Sequence, residues 1–149
     1  MTASLDKLRT LGWLEWQTIL SSLLRLPACA LALRIKGYRR VRDEYQSERR
    51  LASLLSHEEQ RMLAQRIARA VGIAACYGPY RANCLKRSLV LTRLLQKRGI
   101  EHELKLGAAV QDGDFSAHAW VEHLGVPLND DPALKDRFNE FRGNTRQGQ

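Results

Sequence analysis

The feature that most constrains this 149-residue chain is a change of hydrophobic period at Gly99. From Ser56 to Arg98 apolar residues recur three and four apart, the spacing of one helix face. From Glu101 to Leu124 they alternate every second residue, the spacing of a half-buried strand. The C-terminal half must therefore deliver a helix directly into a small sheet. Asn83 is a natural N-cap, and Cys84–Arg98 reads as a helix with Leu85, Leu89, Thr92, Leu95 and Gln96 along one side. Arg93, Lys97 and Arg98 complement its C-terminal dipole, and Gly99 stops it. Glu101–Val110 is the first expected strand, Gln111–Asp114 a turn, Phe115–Leu124 the second strand, and Val126–Asp130 a short third after Gly125. Two adjacent strands with a tight turn predict an antiparallel hairpin.

The region upstream is helical. Ser56-His-Glu-Glu has the Ser-x-x-Glu pattern of a capping box, and the helix it opens runs through Met62, Leu63, Ile67, Ala70 and Val71 towards Ala75–Gly78. Leu11, Leu14, Thr18, Ile19, Leu23 and Leu26 mark an earlier helix over Leu5–Leu26, with Trp13 and Trp16 beside the stripe. Pro27 is expected to interrupt it, leaving a shorter helix over Ala28–Lys36. Tyr38–Arg50 is strongly charged and reads as a linker or a solvated helix face, and so as a candidate boundary. The expected class is α+β: a Cys-bearing helix packed on a small antiparallel sheet, preceded by several helices. One domain is expected over 1–149, divided into a helical part at 1–50, a core at 51–135 and a polar tail at 136–149.

Composition narrows the function classes. Hydrophobic residues make up 44% and charged residues 27%, which suits a globular chain rather than a disordered one. The net charge is +8, favouring an acidic partner: nucleic acid, an anionic membrane face or an acidic peptide. The chain lacks the Arg/Lys motifs of nucleic-acid modules, so specific nucleic-acid binding is not expected. The 3 cysteines include no CxxC pair, which argues against a disulfide framework or structural zinc and suits a reducing cytosol. The most apolar region, Leu11–Leu33, contains Glu15, Arg25 and Pro27, so neither a signal peptide nor a membrane span is expected. A cytoplasmic protein follows, with peripheral membrane contact left open. There is no Gly-rich phosphate loop, and no cofactor or metal is expected.

One constellation carries chemistry. A thiol attacks as its thiolate, and a helix N-terminus favours negative charge, so Cys84 is the candidate nucleophile. His118, between Ala117 and Ala119 in a strand, is the candidate base. Asp130 lies beyond Gly125 and Pro127, where the chain can turn back to orient the imidazole; Asn129 and Asp131 are the alternatives. Singly, each has a plainer reading: a small core hydrophobe, a core histidine and a turn residue. By alternation Trp120 and Glu122 share the His118 face, Trp120 as core and Glu122 as a solvated strand end. His57, His102 and His123 read as surface residues.

Several segments carry a resemblance. They are Asn-Cys-Leu-Lys-Arg-Ser-Leu-Val-Leu at 83–91, Leu-Leu-Gln-Lys-Arg-Gly-Ile at 94–100, Leu-Lys-Leu-Gly-Ala at 104–108, Phe-Ser-Ala-His-Ala-Trp-Val-Glu at 115–122, and Leu-Asn-Asp at 128–130. Together they resemble the lasso-peptide biosynthesis B protein family, transglutaminase-like cysteine peptidases. The resemblance implies a transglutaminase- or papain-like catalytic core over 51–135, a triad of Cys84, His118 and Asp130, and removal of the leader peptide from a ribosomally made precursor. It also implies the split, stand-alone form, which works with a separate leader-recognition protein and an ATP-dependent macrolactam synthetase. Two other readings stand beside it. One is a transglutaminase-like acyltransferase or amidase with the same triad. The other is a non-catalytic basic scaffold for an acidic peptide or a membrane.

Overall fold

A computed structural model describes residues 12–47, 54–111, 114–131 and 138–140. In chain order it contains α1 (Trp13–Lys36), α2 (Tyr38–Ser47), α3 (His57–Tyr77) and α4 (Cys84–Gln96). Strands β1 (Glu103–Gln111), β2 (Asp114–His123), β3 (Val126–Pro127) and β4 (Asn139–Glu140) follow. The arrangement is α+β, as the change of period requires.

The start signals of α3 and α4 act as expected. Ser56 Oγ accepts the Glu59 N–H at 3.3 Å while Glu59 Oε2 accepts the Ser56 N–H at 2.8 Å, a complete capping box. Asn83 Oδ1 accepts the Lys86 N–H at 3.1 Å. At the other end of α4, Gly99 takes φ +67°, the left-handed conformation glycine adopts without a Cβ penalty.

Two expectations upstream need correction. Pro27 does not divide the first helix: α1 is continuous from Trp13 to Lys36. A proline costs a helix one hydrogen bond and some crowding against the preceding turn. Here Leu26 and Cys29, on either side of it, are buried in the core and hold the helix through the defect. Of the two readings of the charged stretch after Gly37, the helix holds over Tyr38–Ser47 and the linker does not; the helix, α2, is not wholly solvated, since its Val41 and Tyr45 are buried in the same core. The guanidinium of Arg93 on α4 lies 4.8 Å over the Tyr45 ring, which ties α2 down despite its charge. Residues 1–11 and 48–50 of those expectations lie outside the described residues.

The four strands form one antiparallel sheet in the order β3-β2-β1-β4. β1 and β2 pair from Glu103↔Glu122 to Gln111↔Asp114, placing Gly107 opposite His118. The chain turns from β2 to β3 through Leu124 (φ 48°) and Gly125 (φ 79°). Two positive φ values make this a tight hairpin of the twist-matched kind, which glycine favours. β3 is shorter than expected. β4, by contrast, comes from the stretch read as a polar tail: Asn139 and Glu140 pair with Ala108 and Gly107 at the sheet's other edge.

The sheet packs one face on the helices. Ala119 and Val121 of β2 are buried against α4, whose Leu89, Leu91 and Leu95 are fully enclosed. His118, Trp120 and Glu122 project to the opposite face. α1 and α3 are packed together, and small side chains are frequent on their buried faces: Ser22 and Cys29 on α1, Ala64, Ala68, Ala70 and Ala74 on α3. Gly78, at the end of α3, lies so close to Leu23 and the Ala74 carbonyl that a Cβ would meet them at 2.6 and 2.4 Å.

Candidate active site

The residues expected to do chemistry come from three elements. Cys84 opens α4 and is half-buried. At the first helical position its backbone N–H has no acceptor within the helix, and the positive end of the macrodipole lies there. The first turn holds Lys86 and Arg87 and no acidic residue.

His118, on β2, and Asp130, after β3, are in direct contact. The carboxylate can only accept, so His118 Nε2–H donates to Asp130 Oδ2, at 2.5 Å. The neutral ring then has its lone pair on Nδ1, free to take a proton. The second carboxylate oxygen, Oδ1, accepts the Asp131 N–H at 2.9 Å. Both side chains are about three-quarters covered, at 22% and 26% exposure. The pair is shielded without being sealed from a substrate.

Polar bonds fix α4 against this pair. Ser88 lies one turn after Cys84, on the same helix face. Its Oγ donates to the carbonyl of Ala119, next to His118, at 3.0 Å. The same Oγ accepts from Asn129 Nδ2 at 2.9 Å, and Asn129 Oδ1 accepts the Val121 N–H at 2.9 Å. Arg87 adds a bond from Nη2 to the Asn129 carbonyl at 3.2 Å. Of the three neighbours 129–131, Asp130 therefore faces the imidazole. Asn129 clips the helix to the strand, and Asp131 supplies a backbone N–H.

The matching family profile is described as the transglutaminase-like superfamily, and it spans residues 6–142. The chain belongs to the transglutaminase-like superfamily. Its sequence is also 30% identical over 104 residues to the microcin J25-processing protein McjB of Escherichia coli. That stretch covers 70% of this chain and 47% of McjB, so the chain spans about half the length of the curated relative it matches. No solved structure matches significantly. The resemblance read from residues 83–130 agrees with both findings.

Around the His–Asp pair this superfamily member has features that its sequence hid. The His118 ring stacks on Phe138, with centroids 5.2 Å apart, and more distantly on Trp120, at 6.3 Å. Phe138 belongs to the stretch read as tail, where two phenylalanines among polar residues are too few to set a period. Trp120 is buried, and its indole N–H donates to Glu122 Oε1 at 2.9 Å. Glu122 is thus not a solvated strand end; it is buried as the indole's acceptor. His102 and His123 are not surface residues either. Their Nδ1 atoms bond the carbonyls of Ile100 (2.8 Å) and Glu101 (2.5 Å), which compensates part of the burial where β1 begins and β2 ends. His57 is exposed, as expected. Among the described residues, no cluster of His, Cys, Asp and Glu has the arrangement of a metal site.

Proposed function

We propose that the protein is a cysteine peptidase that removes the leader from a lasso-peptide precursor, with Cys84 as nucleophile, His118 as base and acid, and Asp130 as orienter. The observation that carries the reading is the His118–Asp130 bond through Nε2, clipped by Ser88 and Asn129 to the helix that Cys84 begins. The name of McjB, a microcin-processing protein, supports the substrate class.

In this mechanism His118 Nδ1 takes the proton of the Cys84 thiol, and the thiolate attacks the carbonyl carbon of the leader–core amide. The backbone N–H of Cys84 donates to the oxyanion. Collapse breaks the C–N bond while the imidazolium protonates the leaving core amine, leaving the leader as a thioester on Cys84. Water, deprotonated by His118, releases the leader carboxylate and restores the thiol. The Asp130 carboxylate holds the ring tautomer throughout and balances the charge on the imidazolium. The freed core amine is the group a macrolactam synthetase needs. A separate leader-recognition protein would present the precursor in the cytoplasm.

Incubation with precursor and recognition protein, read by mass spectrometry, tests this. Separate leader and core fragments are expected, and none with Cys84→Ala. Cleavage that survives Cys84→Ala overturns the mechanism. Superfamily membership favours a second reading, acyl transfer. There an amine captures the same thioester, and the same spectrum shows an adduct in place of the free leader acid.

A further inference from the structure

Helix α1 is inside out. Its buried face carries Glu15, Thr18, Ser22 and Cys29 along with Ile19 and Leu26. Its outer face carries Trp13, Trp16, Leu20, Leu24, Pro27, Leu31 and Ile35, and the described residues leave it open: Trp13 is 78% exposed, Leu24 76% and Ile35 73%. Successive members are three, four and four residues apart, an 11-residue repeat. At 3.67 residues per turn this keeps them in one nearly straight stripe, roughly 100° wide and about 33 Å long. A patch of this size on a soluble chain marks an interaction surface.

The charges around it indicate the partner. The one carboxylate of α1, Glu15, is buried and bonded to Arg66 at 2.6 and 2.8 Å. Arg34 borders the stripe, and Arg39 and Arg40 follow its C-terminal end across Gly37. All three are exposed and pair with no described residue. A straight apolar stripe with tryptophans at one end and exposed arginines at the other has the composition of a helix that lies in a lipid interface. By length and composition α1 could also cross a bilayer. Its inner face, however, is committed to α3 and α4 through the Glu15–Arg66 pair and the buried Leu26 and Cys29. It cannot leave them without exposing polar groups to hydrocarbon.

We propose that the outer face of α1 docks the protein on the surface of an anionic membrane, with the helix axis parallel to the bilayer. This proposal does not depend on the Cys84–His118 chemistry. The test is co-sedimentation of the full chain with vesicles of phosphatidylglycerol and phosphatidylethanolamine, against phosphatidylcholine alone. Binding to the anionic vesicles is expected, with a blue shift of Trp13 and Trp16 emission while the buried Trp120 stays constant. Leu24→Glu with Leu31→Glu is expected to lower partitioning roughly a hundredfold, and Leu24→Ala with Leu31→Ala about tenfold, both without change in thermal unfolding. Absence of vesicle binding overturns the proposal, as does binding that neither double variant weakens. Two results without vesicle binding also overturn it: a dimer in solution that the Glu variant splits, or a stripe-dependent complex with the leader-recognition protein.

Discussion

Replacing Asn129 with Ala separates holding the site together from doing its chemistry. The side chain makes two bonds, accepting from the Val121 N–H and donating to Ser88 Oγ. Each contributes about 0.5–1.5 kcal/mol net. Val121 is fully buried, so its N–H is stranded once the acceptor is gone, at a further cost of about 1–3 kcal/mol. Asn129→Ala should therefore lose about 2–6 kcal/mol, read as a lower urea midpoint. Asn129→Asp is the sharper probe. One oxygen still accepts from Val121, but the other faces a hydroxyl whose single hydrogen is committed to the Ala119 carbonyl. Ser88 must abandon one partner, so this variant should fall between wild type and Ala. Asp130→Asn, at a partly open position, should leave the midpoint nearly unchanged while turnover drops, because the imidazole loses its carboxylate partner. Precursor cleavage and urea unfolding, run on all three variants, give the comparison. If Asn129→Ala unfolds at the wild-type midpoint but loses turnover, then Asn129 acts on the imidazole, and the division of roles between Asn129 and Asp130 is refuted.

Three other outcomes are expected. Gly107→Ala would bring a Cβ to 3.0 Å from the Trp120 ring and 3.1 Å from the Asn139 carbonyl, so it should cost about 1–3 kcal/mol in thermal or urea unfolding. Phe138→Ala removes the ring stacked on His118 and should lower kcat about three- to tenfold with KM unchanged, in steady-state cleavage. Arg66 beside Glu15 lowers the Glu15 pKa from 4.5 to about 2. A depressed carboxyl stabilises the fold fully above the unfolded value and loses that contribution as pH falls from about 4.5 towards 2. After discounting for the half-exposed Arg66, Glu15→Gln should remove about 1–2 kcal/mol at neutral pH. Wild type and variant should then converge in unfolding experiments carried down through that range.

Local rules were legible wherever the local chain decides the outcome. Ser56 and Asn83 are caps because their side chains reach N–H groups three residues on, a geometry that needs no tertiary partner. The β1–β2 hairpin follows from alternation, and Asp130 lies near His118 because a short hairpin brings it there. What escaped was decided by packing. Pro27 breaks isolated helices, but Leu26 and Cys29 hold α1 on both sides of it. The charges of Tyr38–Ser47 outweigh two apolar residues in any window, yet Val41 and Tyr45 suffice to bury one face. Phe138 and the two-residue β4 give no periodic signal, since their partners are β1 and the His118 ring. The stripe read on α1 did find the buried Thr18, Ile19 and Leu26, whereas Trp13 and Trp16, taken as bulk beside it, belong to an outer face as apolar as the inner one.

The proposed nucleophile and the His118–Asp130 pair are held by different parts of the molecule, and this predicts how damage will travel. His118 and Asp130 are 12 residues apart, joined through β3 and the Leu124–Gly125 turn. Their geometry is a local property of one hairpin. Cys84 reaches that hairpin only through its helix, by bonds spanning 31 residues from Ser88 to Ala119 and 41 from Ser88 to Asn129. Its place is therefore a property of the whole helical core, because α4 is packed on α1, α2 and α3 as well as on β1 and β2. A cavity opened beneath α4, at Leu89 or Leu91 for example, is expected to shift Cys84 and leave the His–Asp pair intact. A change in the Leu124–Gly125 turn does the reverse. On the proposed mechanism the helical layer has a second task besides filling the core: α4 sets where the Cys84 sulfur stands relative to an imidazole that Asp130 already orients.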